Sequence, residues 1–133
     1  MKRPVFFYGL FMDAALLEAK GVEPGPLKSA SVSGWSLRIG ARATLVPAEF
    51  GIVHGMLGHL SHSELALLYS EPSLADYQPC AILALTGGHT VEAVCYTLAS
   101  PPSSAERNPE YAGRLRALAE RLRFPAEYVA SIQ

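Results

Sequence analysis

From Val5 to Tyr8 the chain runs Val-Phe-Phe-Tyr without a polar break and stops at Gly9. A short β-rich apolar run closed by glycine predicts a buried strand over Arg3–Tyr8. Leu10, Phe11 and Met12 follow, bulky and apolar where a tight turn ordinarily takes small or polar residues. Either these side chains plug a core or the turn's backbone is needed for something. Ala14, Leu16, Leu17 and Ala19 then favour a helix over Asp13–Lys20, with Asp13 placed to cap its start and Gly21 to end it. Two prolines and a glycine between Glu23 and Pro26 make a loop. Ser31–Leu45 alternates loosely through Val32, Trp35, Leu37 and Ile39 and predicts one or two strands. Pro47-Ala48-Glu49-Phe50-Gly51 reads as a turn, and Ile52–Leu60 alternates again. Gly55 and Gly58 inside that strand imply bending or close backbone approach, as barrel strands often show.

Ser61-His62-Ser63-Glu64 has the spacing of a capping box, so a helix starts there and ends before Pro72. Gln78–Leu85 and Thr90–Ala99 predict two strands joined by a hairpin at Thr86-Gly87-Gly88-His89. Asn108-Pro109 begins a further helix, with Pro at its first position. Along it Tyr111, Leu115, Leu118 and Leu122 fall on one stripe, read as core-facing. Phe124-Pro125 interrupts the pattern before a short helical piece over Pro125–Ile132. Strands outnumber helices and the hairpin is antiparallel. The expected architecture is therefore α+β: a small mixed, mostly antiparallel β-barrel flanked by a few helices, in one domain spanning 1–133.

Composition narrows the function classes. Half of the 133 residues are hydrophobic and 17% are charged, as in a packed globular chain. A net charge of -1 offers no electrostatic footprint for nucleic acid or an acidic membrane surface. The arginines between Arg107 and Arg123 alternate with Glu106, Glu110 and Glu120, the pattern of a solvated helix face. No apolar run is long enough for a signal peptide or a membrane span, so the expected location is cytoplasmic. Cys80 and Cys95 lie in apolar runs and read as buried free thiols.

Several chemistries find no support. Gly87-Gly88 is a hairpin turn rather than a phosphate loop. His59 and His62 straddle a strand–helix junction without a third metal ligand in reach. Asp13 and Asp76 exist, but no nucleophile elbow accompanies them. Glu71 stands out among the carboxylates: it follows the apolar Leu65–Tyr69 run and precedes a proline that locks the turn. Apolar neighbours would disfavour its charged form and bring it into the range useful for general acid–base work. The alternative is an ordinary exposed glutamate at a helix end.

Taken together, these segments resemble the gamma-glutamylcyclotransferase-like superfamily, which includes the AIG2-like proteins. The matching stretches are FFYGLFM, IVHGMLGHL, LALLYSEPSLADYQP and AVCYTL, which fall in the family's order between Val5 and Ala99. The resemblance implies that Tyr8, Gly9, Leu10 and Phe11 form a loop whose backbone amides bind the glutamyl portion of a substrate. It implies that Glu71 is the general acid–base, with Tyr77 the tyrosine that follows it. The implied reaction needs no cofactor and no metal. The substrate's own α-amine attacks its γ-carbonyl, closes 5-oxoproline and expels an amine. Arg42, in the stretch between two strands, is a candidate cation for a substrate carboxylate. The family's Ser/Thr after Tyr-Gly is Leu10 here, and its Asp three residues before the glutamate is Leu68. The expected partner is a small γ-glutamyl or related acidic molecule, with no nucleic acid and no membrane, bound by a monomer or homodimer. Two further classes stay open: a non-catalytic binding module for acidic metabolites on the same fold, and an interaction protein whose Tyr111–Leu122 stripe is exposed.

Overall fold

The computed structural model describes residues 1–133. Its five strands are β1 (Lys2–Phe7), β2 (Lys28–Ile39), β3 (Ala43–Ser61), β4 (Tyr77–Thr86) and β5 (His89–Leu98). They curl into a closed barrel in the order β1-β3-β2-β4-β5. All neighbours are antiparallel except β5 and β1, which meet in parallel at Val5 and Val94. Four helices flank the sheet: α1 (Ala14–Ala19), α2 (His62–Leu68), α3 (Pro109–Arg121) and α4 (Ala126–Ser131). None of them is long and apolar enough to cross a membrane. The expected mixed, mostly antiparallel α+β architecture is the one observed.

The local signals explain most boundaries. Asp13 accepts the Ala15 N–H at 3.0 Å and starts α1, and Gly21 ends that helix at a φ of 84°. Ser61 and Glu64 exchange both hydrogen bonds of the capping box at the start of α2. Asn108 accepts the Tyr111 N–H at 3.1 Å, and its side-chain amide donates to the Gly40 carbonyl, so the cap also ties α3 to the β2–β3 turn. Gly87 and Gly88 both have positive φ, the requirement of a two-residue hairpin of the primed type.

One boundary differs from expectation. Residues 47–51 are not the turn between two strands: β2 turns at Gly40–Arg42, and β3 continues unbroken through Pro47. Trp35 pairs with Pro47 while Ser33 pairs with Ile52, so Ala48 to Gly51 bulge out opposite Gly34. Gly34 takes a φ of 88°, and Phe50 on the bulge is 93% exposed. Proline and glycine mark strand bulges as well as turns, and the sequence pattern alone does not separate the two.

Phe6, Val32, Val53, Leu60 and Cys95 fill the barrel, and Leu115, Leu118 and Ala119 of α3 join the same continuous core. Each large aliphatic side chain buried there contributes about 1.5–3 kcal/mol. Gly55 permits this packing, because a Cβ on it would lie 2.3 Å from the Phe7 carbonyl oxygen and 2.5 Å from the Phe6 ring. The close approach inferred from its position in the strand is real. Cys80 and Cys95 face each other across β4 and β5 as free thiols, Cys95 buried and Cys80 only half-buried.

Candidate active site

β1 ends at Phe7, and the chain then makes one 3-10 turn, Leu10–Met12, before α1. Met12 points into the core at 1% exposure, while Leu10 and Phe11 are half-buried at its edge. The two readings of this apolar turn are therefore both realised, by different residues. Met12 plugs the core. Tyr8, Gly9, Leu10 and Phe11 line a cavity of about 280 Å³.

All seven residues singled out in the sequence border that cavity: Tyr8, Gly9, Leu10, Phe11, Arg42, Glu71 and Tyr77. They arrive from separate elements. The β1 end and the 3-10 turn bring the first four, the β2–β3 turn brings Arg42, and the segment from α2 to β4 brings Glu71 and Tyr77. Leu68, by contrast, packs in the core at 1% exposure and takes no part in the cavity.

The surroundings of Glu71 differ from the expectation. Its side chain is 47% exposed, and its carboxylate is ion-paired with the Lys20 ammonium at the end of α1. Apolar neighbours lie on the preceding helix turn, but the side chain swings past them to the cavity rim. Pro72 starts a single 3-10 turn with Glu71, in extended backbone conformation, at its N-cap. Arg42 also differs. Its guanidinium grips Asp76 through both carboxylate oxygens, donates to the Ser73 carbonyl at 2.9 Å, and lies 5.8 Å from the centre of the Tyr77 ring. It closes a surface loop rather than standing free to meet a substrate.

Aromatic side chains make most of the wall. Five of the six tyrosines border the cavity, together with Phe6, Phe7 and Phe11. Tyr69 stacks on Tyr96 with ring centres 4.0 Å apart and planes 17° from parallel. Phe11 meets Tyr69 edge-on at 5.9 Å. The Tyr8 hydroxyl donates to the Tyr96 carbonyl at 2.7 Å, and the Tyr77 hydroxyl donates to the Ala43 carbonyl. Burial pushes the phenols of Tyr8 and Tyr69 well above their ordinary range, and that of Tyr77 up to about 12. They remain neutral hydrogen-bonding groups at physiological pH.

Tyr111 was expected only in the core stripe of α3. It reaches further, and its hydroxyl lies against the loop: a Cβ on Gly9 would come within 2.7 Å of the Tyr111 Oη. Gly9 has an ordinary extended backbone, φ -115°, so its glycine is required by side-chain space and not by conformation. Burial raises the Tyr111 phenol, an effect partly offset by the Leu10 backbone N–H directed at it. A hydroxyl thus stands beside the loop although residue 10 supplies none. The rest of the stripe is buried or half-buried, which removes the exposed stripe that a partner-binding α3 would need.

Sequence reasoning missed Lys20, Tyr69 and Tyr111 as cavity residues. Tyr111 carried a signal, since a tyrosine in an otherwise aliphatic stripe brings a hydroxyl that must find a partner. Nothing comparable marks Lys20, whose partner lies 51 residues along the chain.

No protein-family model matches the chain, and no curated protein sequence does. Solved structures do. A protein described as gamma-glutamyl cyclotransferase superposes with a TM-score of 0.81 at 18% identity, covering 100% of this chain and 89% of the other. YkqA from Bacillus subtilis gives a TM-score of 0.80 at 20% identity over 97% of this chain, which spans only 52% of YkqA. An AIG2-like protein from Mus musculus gives 0.52 at 18% identity, covering 83% of this chain and 82% of the other. At such identities the likeness speaks for architecture. The chain has the fold of the gamma-glutamyl cyclotransferase and AIG2-like proteins.

Proposed function

We propose that this chain is a gamma-glutamylcyclotransferase-like enzyme that cyclises a γ-glutamyl amide to 5-oxoproline and releases an amine. One observation carries the reading: Glu71 and the Gly9–Phe11 backbone border the same small cavity, having come from distant parts of the sequence. A cavity of about 280 Å³ lies at the lower end of the range for ligand sites, which suits a molecule of this size.

In this reading the γ-glutamyl head sits between the loop and Glu71. The α-amine and the γ-carbonyl belong to one molecule, so the ring closes with a high effective molarity and needs positioning more than activation. Glu71 takes a proton from the attacking amine and returns it to the leaving nitrogen. Backbone N–H groups of the loop steady the oxygen that gains charge as the carbonyl becomes tetrahedral. Lys20 holds the Glu71 carboxylate at the rim before substrate arrives. Tyr8 and Tyr77, with their hydroxyls committed to backbone carbonyls, serve as walls. Arg42, committed to Asp76, serves to fix the turn it belongs to.

The test is incubation with a panel of γ-glutamyl amides and peptides, with 5-oxoproline measured by mass spectrometry. Wild type is expected to release it and Glu71→Gln is not. Equal, negligible release by both across the panel would end the catalytic claim. A second reading, a binding module without turnover, is favoured by Leu10, which leaves the loop without a hydroxyl of its own. It predicts that acidic metabolites raise the melting temperature of the protein and are recovered intact.

A further inference from the structure

Every substrate of the proposed reaction shares the γ-glutamyl head, so selectivity must lie in the leaving amine. We propose that the amine released by this chain is aromatic and carries no carboxylate. This assignment rests on the cyclotransferase reading and narrows its substrate class.

The wall provides the first reason. Tyr69 is the hub of a ring network, stacked on Tyr96 at 4.0 Å, met by Phe11 at 5.9 Å and by Tyr77 at 6.1 Å. Such a network extends naturally to one more ring, because offset-stacked and edge-on pairs are favourable beyond the area they bury. An arylalkyl amine supplies that ring on a chain short enough to leave its nitrogen at the γ-carbonyl.

Charge provides the second. Lys20 and Arg42 are the two cations bordering the cavity, and both are already matched within the chain, Lys20 by Glu71 and Arg42 by Asp76. The Arg42 pair is made through two guanidinium nitrogens to two carboxylate oxygens, which fixes the direction of the guanidinium on the exposed rim. The glutamyl head's own carboxylate is common to every substrate and makes no distinction between leaving amines. An amino-acid leaving group would bring a second carboxylate among aromatic rings, near Glu71, with no uncommitted cation to meet it. Burying such a charge without a partner is costly, and the neighbouring carboxylate repels it. An amine lacking the carboxylate avoids both terms.

A matched set of substrates decides the point. γ-Glutamyl-phenethylamine and γ-glutamyl-phenylalanine differ only by the carboxylate, and γ-glutamyl-methylamine removes the ring. The phenethylamide is expected to show a kcat/KM at least tenfold above each of the others. Asp76→Asn keeps the side-chain shape and releases Arg42 from its partner. It should bring the kcat/KM of the phenylalanine conjugate to within about threefold of that of the phenethylamide. Equal or better turnover of the phenylalanine or methylamine conjugate overturns the assignment while leaving a cyclotransferase in place. An unchanged preference in Asp76→Asn overturns the charge argument behind it. Release of 5-oxoproline from none of the three, nor from other γ-glutamyl amides, removes the cyclotransferase reading and this assignment with it.

Discussion

The two ends of α2 each present a glutamate, and the two are treated in opposite ways. Glu64, in the first turn, accepts the backbone N–H groups of Glu23 at 2.8 Å and Ser61 at 3.0 Å and lies 3.3 Å from the Lys2 ammonium. These donors hold it well below the usual carboxylate range, at about 2, with the backbone N–H groups the leading cause. It joins the start of β1, the loop before β2 and the helix into one corner. Glu71, beyond the other end, has a single flexible partner in Lys20 and an open side towards the cavity. A carboxylate saturated with fixed donors cannot pick up and return a proton near neutral pH. Glu71, with one side-chain partner and an open side, keeps lone pairs free to meet the N–H groups of a substrate. The number and rigidity of donors, more than burial, separates the structural glutamate from the candidate catalytic one.

The sharpest way to break this comparison is to neutralise each carboxylate in turn. Glu71→Gln should reduce the rate of 5-oxoproline release by about 10²–10⁴-fold. Its melting temperature should stay within about 2 °C of wild type, because an exposed ion pair contributes little. A thermal loss as large as that of the Glu64 variant would show that both glutamates are structural. Gly9→Ala disturbs the loop that lines the same cavity without touching either carboxylate. Crowding against Tyr111 should cost about 1–3 kcal/mol in denaturant unfolding. Adding Tyr111→Phe should return part of that loss, since the clash is with the hydroxyl.

Glu64→Gln is expected to cost about 1–2 kcal/mol at neutral pH, because both oxygens accept backbone N–H groups and the amide leaves one of these facing a donor, with activity nearly unchanged. The pH dependence has a definite sign. Because the folded value is depressed from 4.5 to about 2, the unfolded chain binds more protons between those limits. The contribution is present above pH 4.5 and is lost as pH falls through about 2. The thermal gap between wild type and Glu64→Gln should therefore close over that interval, and a gap constant down to pH 2 would contradict the depressed value. Lys20→Met should produce the smallest stability change, under about 1 kcal/mol. Any activity loss should exceed what that change explains, and restoration by Lys20→Arg would identify the charge as the cause.

Much of this was legible because it is local. The caps at Asp13, Ser61 and Asn108 and the paired glycines of the hairpin act over a few residues, so spacing reveals them. Six of the seven candidate site residues lie in the motif stretches, Arg42 stands apart as a lone cation between two strands, and all seven border one cavity. What those motifs did not convey is which charges are already spent. Lys20 with Glu71 and Arg42 with Asp76 are pairs across 51 and 34 residues, set by how the barrel closes. The misplaced turn at 47–51 has a similar origin. Proline and glycine announce a break in the ladder, and only the partner strand decides whether the chain reverses or swells and continues.

That swelling bears on the pocket although it lies outside it. Beyond the Ala48–Gly51 bulge, β2 and β3 form an arm that carries the Gly40–Arg42 turn to the cavity rim. Strand pleating sends successive side chains to opposite faces, so adding or removing one residue in the bulge would rotate the whole arm against the barrel. The rim would change shape with every lining residue still in place.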